Sequence, residues 1–537
     1  MDRGKQFRWQ IALTSLNWTG SGRVLKSRFT PSGLHSVGRW LYRLCIVGLL
    51  VECAIGVVWA ALNFTDVPQY GDTTEYLRLA QTLKIDEYRG VLYPLILWAL
   101  SVPSRGPLGL YALQLIVSAV ALWYFTGSLF DAAGLRNEKD RLALAIPTLA
   151  AFFAPLSIHL SLSVMADSLA ASLLLLTVGA FVTLMSAQKI RDTAVAGFIF
   201  AVATFLVTSI RAEMRLSIVG LVVLGVFRWF LSQQRLRGRI VSAGVMLAAS
   251  SLGLIASIGV HTLLANDHQT RPPYKIATFM STSIVWGRLA RIHDRLPEEL
   301  RSVVSSEEMR QADEDSNRLA YYLLPLLRER LGSWDAAEAA LWTMARQALR
   351  DEWPAILKEN ARELVAYSVP FVYWHADLLG RKGGGRWSEW VYTRMANGRG
   401  NLTKAYTNWF IVLVVAVLLA IAVNAYRFRP HVSRDVVWVA AILVYVVVLR
   451  SVMFTLAGPE FNVRYALPQY EIGIAVLWIM LILTRRPPPA AQGTDRGADG
   501  DVLNQRGHAA LLRGTPKWLN LWRDWITPER SSQSKAA

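Results

Sequence analysis

A chain of 537 residues that is 53% hydrophobic, 11% aromatic and only 18% charged is too apolar for an ordinary soluble enzyme. Its apolar residues fall in blocks of roughly 20, long enough to cross ~30 Å of hydrocarbon at ~1.5 Å per residue, so an integral membrane protein is expected. The formal charge of +18 does not point to nucleic acid. The Arg and Lys residues sit mostly in tails and short loops beside apolar blocks, where they follow the positive-inside pattern and attract anionic lipid.

Residues 1–40 read as a cytoplasmic tail. They are polar and basic, and too long ahead of the first apolar block for a cleavable signal peptide. Phe7, Trp9, Ile11, Leu13, Leu16 and Trp18 suit either a segment lying on the bilayer or a disordered arm. An all-α, polytopic fold of about ten transmembrane helices is expected, with spans at 41–63, 108–130, 142–158, 165–186, 194–210, 214–231, 240–264, 405–426, 434–456 and 465–484. Cys45 and Cys53 both lie in the first span and make neither a disulfide framework nor a zinc site. Positive charge falls in alternate loops: Arg23, Lys26, Arg28 and Arg39, then Lys189 and Arg191, then Arg235, Arg237 and Arg239, then Arg427, Arg429 and Arg434, then Arg485 and Arg486. With ten spans all of these lie on one side, which puts both termini in the cytoplasm of a bacterial inner membrane.

The N-terminal membrane module, 41–264, contains a first outer loop at 64–107. This loop carries Asp66, Asp72, Glu75, Asp86 and Glu87 and reads as two short helices. From Thr73 to Lys84, residues Tyr76, Leu79, Ala80 and Leu83 share one helical face, and Asp72 is placed to cap the helix. A second apolar run follows Tyr88-Arg89-Gly90 and has Pro94 near its start. Residues 265–404 are expected to form an outer helical domain. Glu307–Arg330 and Ser333–Arg350 are strongly helical, and Ile276–Leu289 and Leu364–Leu379 are read as surface or re-entrant pieces. Residues 405–484 hold the last spans. Residues 485–537 form a cytoplasmic tail ending in a basic amphipathic helix with Trp518, Leu521, Trp522, Trp525 and Ile526 on one face.

Four polar clusters fall at outer ends of spans: Asp72 and its neighbours; His159 and Asp167; Arg211, Glu213 and Arg215; and Glu460, Asn462, Arg464 and Tyr465. Ionisable groups near hydrocarbon cost on the order of 2–3 kcal/mol at mid-bilayer and need partners or a function. Any one of them reads equally well as a helix cap. Together on one face they suit chemistry at the outer leaflet. A carboxylate can take a proton from an acceptor hydroxyl or amine, and an arginine can bind a phosphate in a fork and offset charge on a phosphate leaving group.

The stretches GDTTEYLRLA and YRGVLYPLI, the acid before a Leu-rich run in MADSLAASLLL, the Arg-x-Glu element in RAEMR, and Arg464-Tyr465 with Pro468 carry a family resemblance. In order and shared side, this resembles the GT-C membrane glycosyltransferases, such as the protein O-mannosyltransferases and the lipid A aminoarabinose transferases. The likeness covers residues 41–230 and 455–484. Thr73 stands where many relatives have a second acid, and Ala212 where they have Pro.

The resemblance implies a polyprenyl-phosphate sugar donor and transfer to a lipid, glycan or protein acceptor at the outer face. Catalytic roles then fall to Asp72 as base and Asp167 as orienting group. Substrate binding falls to Glu75, Tyr76, Arg89, Tyr93, His159, Arg211, Glu213, Arg464 and Tyr465. Two carboxylates from separate loops leave room for a divalent metal without requiring one. Two other readings remain: an outer-face polymerase or ligase using a diphosphate donor, and a lipid or sugar transporter. Against the latter, the acids lie at helix ends and no repeat is visible.

Overall fold

The computed structural model describes residues 31–64, 71–85, 89–133, 138–187, 189–231, 236–265, 276–314, 319–368, 399–428, 434–457 and 463–485. The surface segment expected within 1–30, residues Asp66, Asp86, Glu87, Glu460 and Asn462, most of Leu364–Leu379 and the basic tail helix lie outside them. Among the described residues there is no strand, and helices run through all ten stretches expected to span.

Among the described residues, seven helices are long and apolar enough to cross a membrane, or eight if one bent pair counts as a span. Long helices on the periphery turn apolar side chains outward. Leu44, Val47, Leu50 and Val58 do so on α1 (Pro31–Asn63), which is the arrangement a hydrocarbon solvent favours and water does not.

The first outer loop folds into α2 (Gly71–Thr82) and α3 (Leu92–Ala99). On α2, Tyr76, Leu79 and Ala80 are buried, the face that the spacing predicts. Asp72 sits in the first turn, where the free N–H groups of the helix start favour a carboxylate. The helix stops at Leu83, whose φ of 53° is left-handed.

Next come α4 (Leu108–Ala132), α5 (Glu138–Phe152) and α6 (Pro155–Ser161). The stretch expected to span at 142–158 is a bent pair of helices rather than one continuous helix. The chain bends by 62° between α5 and α6, because Pro155 cannot donate a helical hydrogen bond and starts a new helix. The following turn, read from sequence as an outer loop, is buried from Leu156 to Val164.

The hub is α7 (Ala166–Ser186), which is apolar on all sides and enclosed along nearly its whole length. It packs between α4 and α8 (Ile190–Ile210). Then follow α9 (Met214–Leu231) and α10 (Leu236–Leu264).

The segment between α10 and α15 has its own apolar core, formed by Leu289, Met309, Leu323, Leu327, Leu341 and Met344 among others. Its helices include α11 (Ile276–Val285), α12 (Ser306–Asp313) and α13 (Leu324–Leu331). Ser305 and Glu308 close a capping box at the head of α12, each satisfying a backbone N–H of the other. The last helix, α14 (Trp334–Ser368), is longer than the expected Ser333–Arg350. It is two helices joined at a kink, with Glu352 outside helical geometry and Pro354 opening the second half. Three further helices complete the described chain: α15 (Arg399–Phe428), α16 (Arg434–Ala457) and α17 (Leu467–Arg485).

Candidate functional site

Asp167 lies in the first turn of α7 and Arg211 directly follows the last residue of α8. Helix dipoles favour an anion at the first position and a cation at the second. The two helices pack side by side, so the groups meet: Arg211 Nη2 donates to Asp167 Oδ1 at 2.6 Å. Arg211 Nη1 donates to Glu213 Oε1 at 3.0 Å, and the guanidinium lies 5.1 Å from the centre of the Tyr465 ring. Burial disfavours the Arg211 charge, but Asp167 and Glu213 more than offset this, and its pKa stands well above the ordinary arginine value.

A second guanidinium stands behind the first. Arg450 of α16 is buried and donates to Gln469 Oε1 at 3.1 Å, to Ser217 Oγ at 3.4 Å and to the Tyr465 carbonyl at 3.0 Å, and it touches Met214 Sδ at 2.8 Å. Asp167, Arg211, Glu213, Met214, Arg450, Tyr465 and Pro468 enclose a crevice with room for about one water molecule. A larger ligand therefore enters only if side chains swing aside.

The first outer loop closes against this group. Thr73 Oγ1 donates to the Val164 carbonyl at 3.2 Å, which holds α2 over the turn leading into α7. Gly90 lies against the end of α8. A Cβ there would sit 2.0 Å from the Ile210 carbonyl oxygen, so no other residue fits without moving backbone.

Arg89, buried, donates to Asp72 Oδ1 at 2.8 Å and lies 4.8 Å from the centre of the Tyr76 ring. Tyr76 meets Tyr93 edge to face at 4.8 Å. Burial pushes the Tyr76 phenol up, with Arg211 and Arg89 opposing and Asp72 and Asp167 adding to the shift, so all four charged groups act on one hydroxyl. Burial likewise pushes Tyr93 well up, reinforced by Tyr76 and Asp167. The Tyr93 hydroxyl and Asp167 Oδ2 are buried without a hydrogen-bond partner among the described residues. Such atoms cost about 1–3 kcal/mol each and are natural places for a ligand to bind.

Of the residues singled out from sequence, Asp72, Tyr76, Arg89, Tyr93, Asp167, Arg211, Glu213 and Tyr465 come together here. Glu75 pairs with Arg78 at 2.6 Å, within α2. His159 packs against Trp59 of α1 at 5.5 Å between ring centres. The Arg464 backbone lies in the 3-10 turn Val463–Ala466, and its side chain lies outside the described positions. The sequence reading missed Arg450. A lone arginine in the apolar run VVVLRSVMFTLA was signal enough, since such a residue is costly unless it has partners or a role.

Asp72 and Asp167 each face a guanidinium, and no three of His, Cys, Asp and Glu converge among the described residues. Chemically, the arrangement offers two guanidinium groups at a buried crevice and a partly exposed carboxylate on the neighbouring loop. Comparison with family models, with characterised proteins and with solved structures finds no match for this chain.

Proposed function

We propose that this protein is an integral membrane glycosyltransferase. It moves a sugar from a polyprenyl-phosphate donor to a lipid, glycan or protein acceptor on the outer face of the membrane. The observation that carries the reading is Arg211 and Arg450 lining one crevice at helix ends, with Asp72 on the loop that closes against it. Two guanidinium groups suit a phosphate, and the surrounding apolar helices suit a polyprenyl tail. The likeness to GT-C enzymes in GDTTEYLRLA, MADSLAASLLL and RAEMR agrees with this reading.

In this mechanism the acceptor hydroxyl, or amine, attacks the anomeric carbon. Asp72 takes its proton and later passes it to water. The bond from the anomeric carbon to the phosphate oxygen breaks, and its electron pair stays on the departing polyprenyl phosphate. Arg211 and Arg450 offset that charge, with Arg464 as a further partner for the phosphate. Asp167 orients Arg211, and its free oxygen accepts a hydrogen bond from the sugar. The chain crosses the membrane ten times with both termini cytoplasmic, which puts this group on the outer side.

The test is purified protein in lipid, offered radiolabelled sugar on a polyprenyl monophosphate or diphosphate. Release of polyprenyl monophosphate from the first donor supports the reading. Use of the diphosphate alone would make it a polymerase or ligase, and use of neither would leave a transporter as the better account.

A further inference from the structure

The second half of α14, from Trp353 to Ser368, has an outward face that the fold leaves uncovered. Trp353, Leu357 and Val365 are 60%, 60% and 53% exposed. With Ala361 they recur every fourth residue and so lie along one side of the helix. Exposed Lys358 and Arg362 flank this stripe, and neither makes an ion pair among the described residues. Two acids of the same helix are taken up by arginines of the preceding segment. Glu359 pairs with Arg288, and Glu352 lies 3.6 Å from Arg288 and 3.1 Å from Arg291. Glu359, though 57% exposed, is neutralised by Arg288, so the charges left for an outside partner beside the apolar stripe are the basic Lys358 and Arg362.

The level of this helix is fixed by its neighbours. It packs along α16, whose own free face is the apolar row Val444, Val448, Val452 and Leu456. Its last turn is pinned by Tyr367, fully buried with Met453 and Ala466 and packed against Leu216 and Tyr465. Tyr465 also lines the crevice. A Trp/Leu/Val stripe edged by cations, beside an apolar helix, matches an amphipathic helix lying in a lipid headgroup layer.

We infer that the face of Trp353, Leu357 and Val365 seats in the outer leaflet, with Lys358 and Arg362 binding the phosphates of anionic phospholipid. The occupant is the lipid surface, and the charge pattern specifies the anionic kind. This inference does not rest on the glycosyltransferase reading. It adds that the leaflet holds the helix whose Tyr367 supports Tyr465, so lipid composition acts on the crevice wall.

The test uses the full-length protein in nanodiscs, with Cys45→Ala and Cys53→Ala and an environment-sensitive fluorophore at Leu357→Cys, at Val365→Cys and, as a water-exposed control, at Glu298→Cys. The first two positions should give blue-shifted emission that headgroup-proximal spin-labelled lipid quenches, while the control should stay water-like. Quenching should be stronger with phosphatidylglycerol than with phosphatidylcholine. Lys358→Gln with Arg362→Gln should remove that difference while the apolar seating persists. Water-like emission at both stripe positions would overturn the inference. So would blue-shifted emission that lipid does not quench, since a protein would then cover the face. Equal quenching in both lipids with Lys358 and Arg362 intact would overturn the headgroup assignment.

Discussion

Replacing Arg211 tests whether the crevice charges act as one unit. The Arg211 side chain is 12% exposed and that of Asp167 only 4%, so little water is available to replace a lost partner. Arg211→Ala leaves Asp167 and Glu213 without their shared cation, and removing one member of a buried pair costs about 3–5 kcal/mol. Asp167→Asn is milder. Arg211 keeps Glu213 at 3.0 Å, and the loss is that of one charged hydrogen bond, about 1.5–3 kcal/mol. In the double variant no orphaned Asp167 charge remains, so the two losses should fall short of additive by ~0.5–3 kcal/mol. Arg211→Lys should restore charge but not the two-pronged contact, and so rescue stability only in part. In a Cys53→Ala background buried Cys45 supplies the assay, because a thiol-reactive dye reaches it only as the bundle opens. Unfolding midpoints of the four variants in detergent give the coupling. Strict additivity, or an unchanged midpoint in Arg211→Ala, would refute the shared-cation account.

Asp72→Asn should accumulate normally and still bind donor. Transfer should drop by roughly 100- to 10,000-fold if Asp72 is the base, whereas wild-type transfer kinetics would move that role to Asp167 or Glu75. Gly90→Ala drives a methyl into the Ile210 carbonyl, so thermal unfolding should show a loss of about 1–3 kcal/mol; an unaltered midpoint would mean the loop is not held against α8. At the head of α12, hydrogen bonds from Arg330 and from the Ser305 backbone lower the Glu308 carboxyl from an ordinary 4.5 to about 2. A depressed carboxylate contributes stability that is complete above the unfolded pKa and is lost as pH falls through the folded one. Acid titration of the full-length protein should therefore show loss between about pH 4.5 and about pH 2, and Glu308→Gln should flatten that slope.

Much of the helical layout was legible because long apolar runs carry it without help from distant contacts. Asp167 at the head of a Leu-rich run and Arg211 just past a span end were legible for the same local reason. The pairing of Asp167 with Arg211 across 44 residues was not, since spacing says nothing of which helix ends meet. Arg450 reaches Met214, 236 residues away, and only packing of α16 beside α9 brings them together. His159, grouped with Asp167 because the two are close in sequence, packs against Trp59 of α1, a contact that spacing does not reveal. In α14 the sequence located the first half, Ser333–Arg350, but not the second, which Pro354 opens just past the kink at Glu352.

The central claim is that the crevice beneath Tyr465 holds the donor phosphate. A polyprenyl-phosphate analogue with a photoreactive group beside the phosphate, crosslinked in lipid and mapped by peptide mass spectrometry, tests it most directly. The account predicts adducts on the peptides carrying Met214 and Tyr465, competed away by unlabelled polyprenyl phosphate and lost in Arg450→Met. Competable adducts that fall elsewhere, with these two peptides unmodified, would contradict it.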